Sequence, residues 1–143
     1  MVCTFFGHRE ILEDIEEKLY DAVEKLITEC GVDSFYIGNQ GSFDSCAKKV
    51  VKKLSEKYPQ IRYSIVLAYM PTNTRRDEYF DFSDTIVPDA SARSHPRYAI
   101  AARNKWMLER ADFVVAYVKR DIGGAARFVS EAKKKGKKVI NIA

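Results

Sequence analysis

The chain has 143 residues, of which 46% are hydrophobic and 31% are charged. This length suits one domain, and this composition excludes a mainly disordered or collagen-like protein. The formal net charge of +4 tolerates an anionic ligand but does not favour nucleic acid as a partner. Three cysteines at wide spacings predict neither a disulfide framework nor a Cys-x-x-Cys zinc site.

The amino-terminal stretch VCTFF has no basic leader and too few apolar residues for a membrane span. We therefore expect a cytoplasmic protein without a membrane-embedded segment. His8 and His95 are far apart and have no third ligand at metal spacing, so we expect no metal site and no cofactor.

The first half of the chain alternates between predicted strands and helices. VCTFF is an apolar strand, and the residues from Leu12 to Ile27 then repeat at the spacing of one helical face until Gly31 ends the helix. DSFYIG is a second strand, followed by a helix that ends before Pro59. IRYSIVLAY is the third strand and the longest apolar run.

Residues 70–96 show no periodicity, and an interval of that length indicates a lid, a binding loop or a disordered segment. Its aromatic residues Tyr79, Phe80 and Phe82 suit stacking on a flat base, or equally a role in pinning the loop to the protein body. The lid therefore remains one of several interpretations.

The second half returns to the same alternation. RYAIAARNKWMLERA is a helix, DFVVAYV a strand, GGAARFVSEAKKKG a helix and KKVINIA a strand. Five strands separated by helices predict a single α/β domain over residues 1–143. We expect a Rossmann-like three-layer sandwich, in which helices cover both faces of a five-stranded parallel sheet of order 3-2-1-4-5.

Ligands in such sheets bind beyond the carboxyl ends of the strands, where the strand order reverses. Three turns there can approach an anion, because glycine lets backbone N–H groups come close to a phosphate. They are the turns at Gly7-His8-Arg9, at Gly38 to Ser42 and at Gly123-Gly124. A purely structural role for each turn remains open.

The charges beside these turns differ. The first helix is predicted to begin with Glu10, Glu13 and Asp14, which would repel a phosphate. The helix after Gly124 opens without an acidic residue, so this turn is the predicted phosphate site.

The turn after the second strand is intermediate between these two. Ser42 can cap the helix or donate to a ligand. Asp44, in the first helical turn, suits a sugar hydroxyl or an amine better than a phosphate.

Five strings, CTFFGHRE, FYIGNQGSFD, RNKWML, GGAARF and KKVINIA, together resemble the small bacterial members of the SLOG superfamily of Rossmann-like proteins. This superfamily includes the cytokinin-activating phosphoribohydrolases and the DNA-processing Smf proteins. The resemblance covers nearly the whole chain and implies a nucleotide-binding domain.

The phosphoribohydrolase pattern is matched only in part. Arg103, Met107, Ala111 and Asp112 resemble its Arg-Lys-x-x-x-Met helix and the following Ala-Asp strand. In its Pro-Gly-Gly-x-Gly-Thr-x-x-Glu segment, Gly123 and Gly124 are present, whereas Ile122, Ala126, Arg127 and Ser130 replace the proline, the Gly-Thr pair and the glutamate. Glu131 stands one residue late, which turns a helical side chain by about 100°.

The resemblance implies that the chain binds a nucleotide or nucleotide-derived small molecule at the carboxyl edge of the sheet, as a sensor or sequestering protein. The predicted ligand-binding residues are Gly7, His8, Arg9, Gly38, Asn39, Gly41, Ser42, Asp44, Arg103, Asn104, Gly123, Gly124 and Ala125.

The sequence is also compatible with two alternative functions. One is a phosphoribohydrolase or N-glycosidase acting on a nucleoside monophosphate, with Arg103, Glu131 and Asp44 as candidate catalytic residues. The other is a single-stranded DNA-binding module, because Arg103-Asn104 resembles an Arg-Asn pair of the Smf proteins. Pairing through helices in relatives also implies a homodimer, with Trp106 in the core or at the interface.

Overall fold

The protein is described by a computed structural model, which covers residues 1–69 and 85–143. The aromatic residues Tyr79, Phe80 and Phe82 lie outside these described residues. The elements, in chain order, are β1 (Val2–Gly7), α1 (Glu16–Cys30), β2 (Ser34–Ile37), α2 (Ser42–Lys57), β3 (Arg62–Val66), β4 (Thr85–Ile86), α3 (Asp89–Ala92), α4 (Pro96–Arg110), β5 (Phe113–Tyr117), α5 (Gly124–Lys134) and β6 (Lys138–Asn141).

The described strands form a six-stranded sheet of order β4-β3-β2-β1-β5-β6, in which every neighbouring pair is parallel. The Rossmann-like α/β prediction is confirmed, and the five predicted strands have the predicted order. The sheet differs by one added edge strand, β4, whose two residues pair with Ile65 and Val66. A strand of two residues is too short to show the alternation of apolar and polar residues that predicts a strand, so the sequence pattern did not predict β4.

Part of the aperiodic interval 70–96 is therefore regular structure. Residues 85–96 include β4, the short helix α3 and the first residue of α4. Nδ1 of His95 accepts a hydrogen bond from the amide of Arg97 at 3.2 Å, and Pro96 occupies the first turn of α4. His95 thus serves as the helix cap.

The core lies on both faces of the sheet because successive strand residues point to opposite sides. Phe5 packs with Phe35 and Phe43 in the layer shared with α1 and α2. Phe6 packs against Phe128 in the layer shared with α4 and α5, with ring centroids 5.4 Å apart. Within the described residues, no helix is both long and apolar enough to span a membrane.

The predicted start of the first helix was wrong. The helix begins at Glu16, Leu12 is fully exposed, and Glu10, Glu13 and Asp14 precede the helix. The carboxylate of Asp14 accepts a hydrogen bond from the Glu16 amide at 3.1 Å. Such a local side-chain bond to the backbone marks the helix start and favours a turn before it.

Candidate functional site

A cavity of about 460 Å³ opens at the carboxyl edge of the sheet, where β1 and β5 lie side by side. It is bordered by the β1–α1 loop, the start of α2, the inner face of α4 and the β5–α5 turn. The lining residues are Phe5, Phe6, Gly7, His8, Arg9, Glu10, Gln40, Asp44, Ile100, Arg103, Asn104, Met107, Arg120, Ile122, Gly123, Gly124 and Ala125. This is the predicted crevice at the reversal of strand order.

The start of α5 presents free backbone donors to this cavity. The Arg127 amide donates to the Gly123 carbonyl at 3.1 Å and so makes the first hydrogen bond of the helix. The amides of Gly124, Ala125 and Ala126 precede it and have no acceptor inside the helix. Among the described residues no side chain caps them, and the first turn contains no acid. Such a helix start attracts anions.

The start of α2 has the same kind of glycine cap but is already occupied. Gly41 has φ 91° and ψ −173°, a conformation that is essentially restricted to glycine. A Cβ atom there would lie 2.6 Å from Cα of Arg9, and the Ser42 amide donates to the Arg9 carbonyl at 2.7 Å. The β1–α1 loop therefore fills the place that an anion would need.

Among the residues that the structure describes, Arg103 is the largest fully buried side chain, with only 2% of its surface exposed. Its Nη1 donates to the Val66 carbonyl at 3.0 Å, and its Nε donates to Oδ1 of Asn104 at 2.8 Å. Burial lowers the pKa of Arg103, and the nearby negative charge of Asp44 partly offsets this decrease. The guanidinium is thus fixed at the cavity wall and keeps further donors for a ligand.

Asp44 lies beside Arg103 and is also buried, with 8% of its surface exposed. Its Oδ2 accepts a hydrogen bond from the Gln40 amide at 2.8 Å. Burial raises the pKa of Asp44 to about 6, although the Gln40 amide and the guanidiniums of Arg103 and Arg9 favour the charged form. The group can therefore accept hydrogen bonds from a ligand or exchange a proton near neutral pH.

Gly38 leaves space for this pair of charges. A Cβ atom on Gly38 would lie 2.7 Å from Oδ2 of Asp44 and 2.8 Å from Nη1 of Arg103. The residue thus acts behind the cavity wall rather than on its surface.

His8 connects the two loops above the cavity. Its Nε2 accepts a hydrogen bond from the Lys119 amide at 2.9 Å, which places the proton of the neutral ring on Nδ1. Its ring packs edge-on against the ring of Tyr117, with the two ring centroids 6.1 Å apart. Burial and the nearby charge of Arg120 lower the pKa of His8, so the neutral form dominates at neutral pH.

The structure brings together nine of the predicted site residues at the cavity: Gly7, His8, Arg9, Asp44, Arg103, Asn104, Gly123, Gly124 and Ala125. Gly38, Asn39, Gly41 and Ser42 are not among the residues that line it. Glu131 lies in a separate groove between α4 and α5 that includes Tyr98 and Phe128, and its carboxylate lies 3.9 Å from Nζ of Lys134.

The sequence prediction missed several lining residues. Arg120 lies in the turn between the end of β5 at Tyr117 and the glycine pair, and this position after a strand end is a usable signal. Gln40 lies between the glycines of the second turn and has no distinguishing pattern. With Arg9 and Arg103, Arg120 gives the cavity three guanidiniums against the carboxylates of Glu10 and Asp44.

Comparison with known proteins identifies the family of this chain. A search of curated proteins returned no match. The model of the YspA SLOG family matches residues 2–142, which is nearly the entire chain, and so confirms the resemblance based on the five strings. The chain belongs to the YspA SLOG family.

Proposed function

We propose that the cavity binds a nucleotide or a nucleotide-derived small molecule, with a phosphate at the start of α5. The carrying observation is that the unbonded amides of Gly124, Ala125 and Ala126 lie beside a cavity with three arginines. Backbone donors and fixed cations together are the usual means of holding phosphate oxygens.

The part of the cavity next to Asp44 has a different polarity. Asp44, held by the Gln40 amide, is an acceptor for hydroxyl or amino groups rather than for a phosphate. A ligand with an anionic end and a hydroxyl-bearing end matches both sides, as a phosphorylated ribose does. Phe6, Ile100 and Met107 also line the cavity, and their apolar side chains suit the face of a sugar or base.

We favour sensing or sequestering over turnover. In the phosphoribohydrolase pattern the catalytic glutamate stands where this chain has Ser130, and the neighbouring Glu131 belongs to the other groove. The cavity therefore lacks the acid that this pattern would supply from α5.

The N-glycosidase alternative rests on Asp44. A buried carboxyl with a pKa of about 6 beside a guanidinium is suited to general acid–base chemistry near neutral pH. Incubation with AMP and related nucleotides, followed by chromatography for free base, separates the two functions. Base release that is lost in Asp44→Asn but retained in Glu131→Gln would establish the enzyme; intact nucleotide after prolonged incubation supports the receptor.

Binding itself is tested by calorimetric titration of AMP, ADP, ADP-ribose, NAD and cyclic AMP, with inorganic phosphate as the minimal probe. We expect Ala125→Asp to weaken the best ligand at least tenfold, because the new carboxylate faces the same space as the phosphate. Ala125→Asn has the same shape without the charge and should retain most of the affinity. Equal losses in both variants, or binding by neither the wild type nor the variants, would contradict the proposal.

The Ala125 substitution also separates function from folding. An acid in the first turn of a helix favours the helix dipole and should leave the free energy of unfolding unchanged or raise it by about 0.3–1 kcal/mol. Weaker binding by a protein that is equally or more stable therefore reports on the ligand site alone.

A further inference from the structure

We infer that two copies of this chain pair through the edge strand β6 and the adjacent flank of α1, forming one continuous sheet across a two-fold axis. The inference starts from a groove between these elements, which includes Leu26, Ile140 and Ile142. Ile140 and Ile142 are only half-buried, since α1 covers them from one side.

The backbone of β6 provides donors and acceptors for such pairing. The amides of Lys138 and Ile142 donate to the carbonyls of Asp112 and Ala116, at 3.2 and 2.9 Å, and so point toward β5. Because N–H directions alternate along a strand, the amides of Val139 and Asn141 point outward. A lysine on an edge strand usually hinders pairing with another strand. The Nζ of Lys138, however, lies over the Phe113 ring, 5.9 Å from its centroid.

An antiparallel β6–β6 pair centred on Ile140 uses these outward groups. Val139 of one copy then stands opposite Asn141 of the other, as a hydrogen-bonded pair on each side of the axis. Ile140 meets its own equivalent as a non-hydrogen-bonded pair, in which side chains approach most closely. The exposed apolar surface on the α1 side is thereby covered.

The charges on α1 favour a second copy over any other occupant. On the flank facing α2, Glu16 and Glu24 bind Lys53 and Lys57 at 2.6 and 2.8 Å. On the β6 flank, the exposed side chains of Lys18, Asp21, Lys25 and Glu29 form no ion pair with any residue the structure describes.

This order of charges complements itself when the helix is reversed. A two-fold axis near the middle of α1 places Lys18 opposite Glu29 and Asp21 opposite Lys25 of the other copy, twice each. The same axis that pairs β6 with itself makes the two α1 helices antiparallel. An isologous interface requires this self-complementarity.

The experiment measures the dimer dissociation constant by sedimentation equilibrium of the full chain. We expect a dimer that Lys18→Glu weakens about tenfold, because two attractions become two repulsions. The charge swap Lys18→Glu with Glu29→Lys should restore the constant to within about threefold. Lys105→Glu on α4 changes the same charge elsewhere and should have no effect. A chain that is monomeric at 500 µM, or a dimer indifferent to Lys18→Glu, would overturn the inference.

A cross-link tests the axis independently. In a Cys30→Ser background, Ile140→Cys should form a disulfide dimer on mild oxidation, visible on a non-reducing gel. Lys133→Cys on α5 is the control and should remain monomeric on that gel. Circular dichroism establishes that both variants are folded. Folded Ile140→Cys protein that fails to cross-link at concentrations where the dimer forms would also overturn the inference.

Discussion

Replacing Asp44 by Asn should stabilise the protein at neutral pH, an unusual result for a buried polar residue. The pKa of this carboxyl is about 6 in the folded protein against an ordinary value of 3.8. Each pKa unit corresponds to about 1.4 kcal/mol, so ionised Asp44 costs about 3 kcal/mol of unfolding free energy. The attractions of Arg103 and Arg9 are already contained in this net cost.

The sign of the pH dependence follows from the raised pKa. The folded protein binds this proton more tightly than the unfolded chain, so the cost is fully present above pH 6. It is relieved as the pH falls through 6 and is absent below about pH 4. Asn has a similar shape, keeps an oxygen for the Gln40 amide and has no charge to desolvate.

The assay is urea unfolding of wild type and Asp44→Asn at pH 7.5, 6.0 and 4.5. We expect the variant to be more stable by about 3 kcal/mol at the highest pH, with most of the difference gone at the lowest. Asp33→Asn is the control, since Asp33 is exposed and its bond to the amino terminus lowers its pKa, so no gain is expected. A variant that is less stable at pH 7.5, or a gain that does not change with pH, would refute the reasoning.

Three further changes test other parts of the site. Gly123→Ala places a side chain on a residue with φ 99°, where a Cβ atom would have no neighbour within 4 Å. Urea unfolding should therefore show a loss of about 1–3 kcal/mol that comes from the backbone alone, and calorimetry should show weaker nucleotide binding. Unchanged stability would contradict this backbone conformation. Gly7→Ala should lower the unfolding free energy by about 1–3 kcal/mol or more in the same assay, because its Cβ atom would lie 2.3 Å from the Phe43 ring. An unchanged unfolding free energy would contradict this packing of Gly7 against Phe43. The lowered pKa of His8 predicts a contribution to stability that is fully present above pH 6.5 and is lost as the pH falls toward the folded pKa, because the protonated ring cannot accept the hydrogen bond from the Lys119 amide. The variant His8→Gln should lack this part of the pH dependence in thermal unfolding. Identical pH profiles for the two proteins would contradict the prediction.

The fold was predictable because strands and helices alternate along almost the whole sequence. Each buried strand reads as an apolar run, and each helix shows its own spacing. The errors lie where local bonds or short elements decide the structure. Asp14 holds the Glu16 amide and delays the start of α1, and β4 has only two residues. Neither feature leaves a periodic trace.

The candidate site was predictable at the level of its strand-end turns and of Arg9, Asp44 and Arg103, but not at the level of the packing between these side chains. The chain order shows that strand ends meet at one edge, so His8, Arg103 and Gly124 could be expected near one another. Asp44 of α2 and Arg103 of α4 approach each other beside Gly38, where a Cβ atom would lie 2.7 and 2.8 Å from their side chains. This proximity depends on side-chain packing, which no sequence spacing encodes.

The two glycine caps show why packing, rather than the motif, decides where a ligand can bind. Gly41 and Gly123 have nearly the same backbone conformation, with φ 91° and 99° and ψ −173° and 175°. The α2 start is filled by the Arg9 backbone and carries Asp44 in its first turn, whereas the α5 start faces the open cavity without an acid. A phosphate at α2 would have to displace the β1–α1 loop and oppose a carboxylate. At α5 it would meet free amides and no acid in the first helical turn. The glycine cap that the first loop leaves uncovered is therefore where we propose that a phosphate binds.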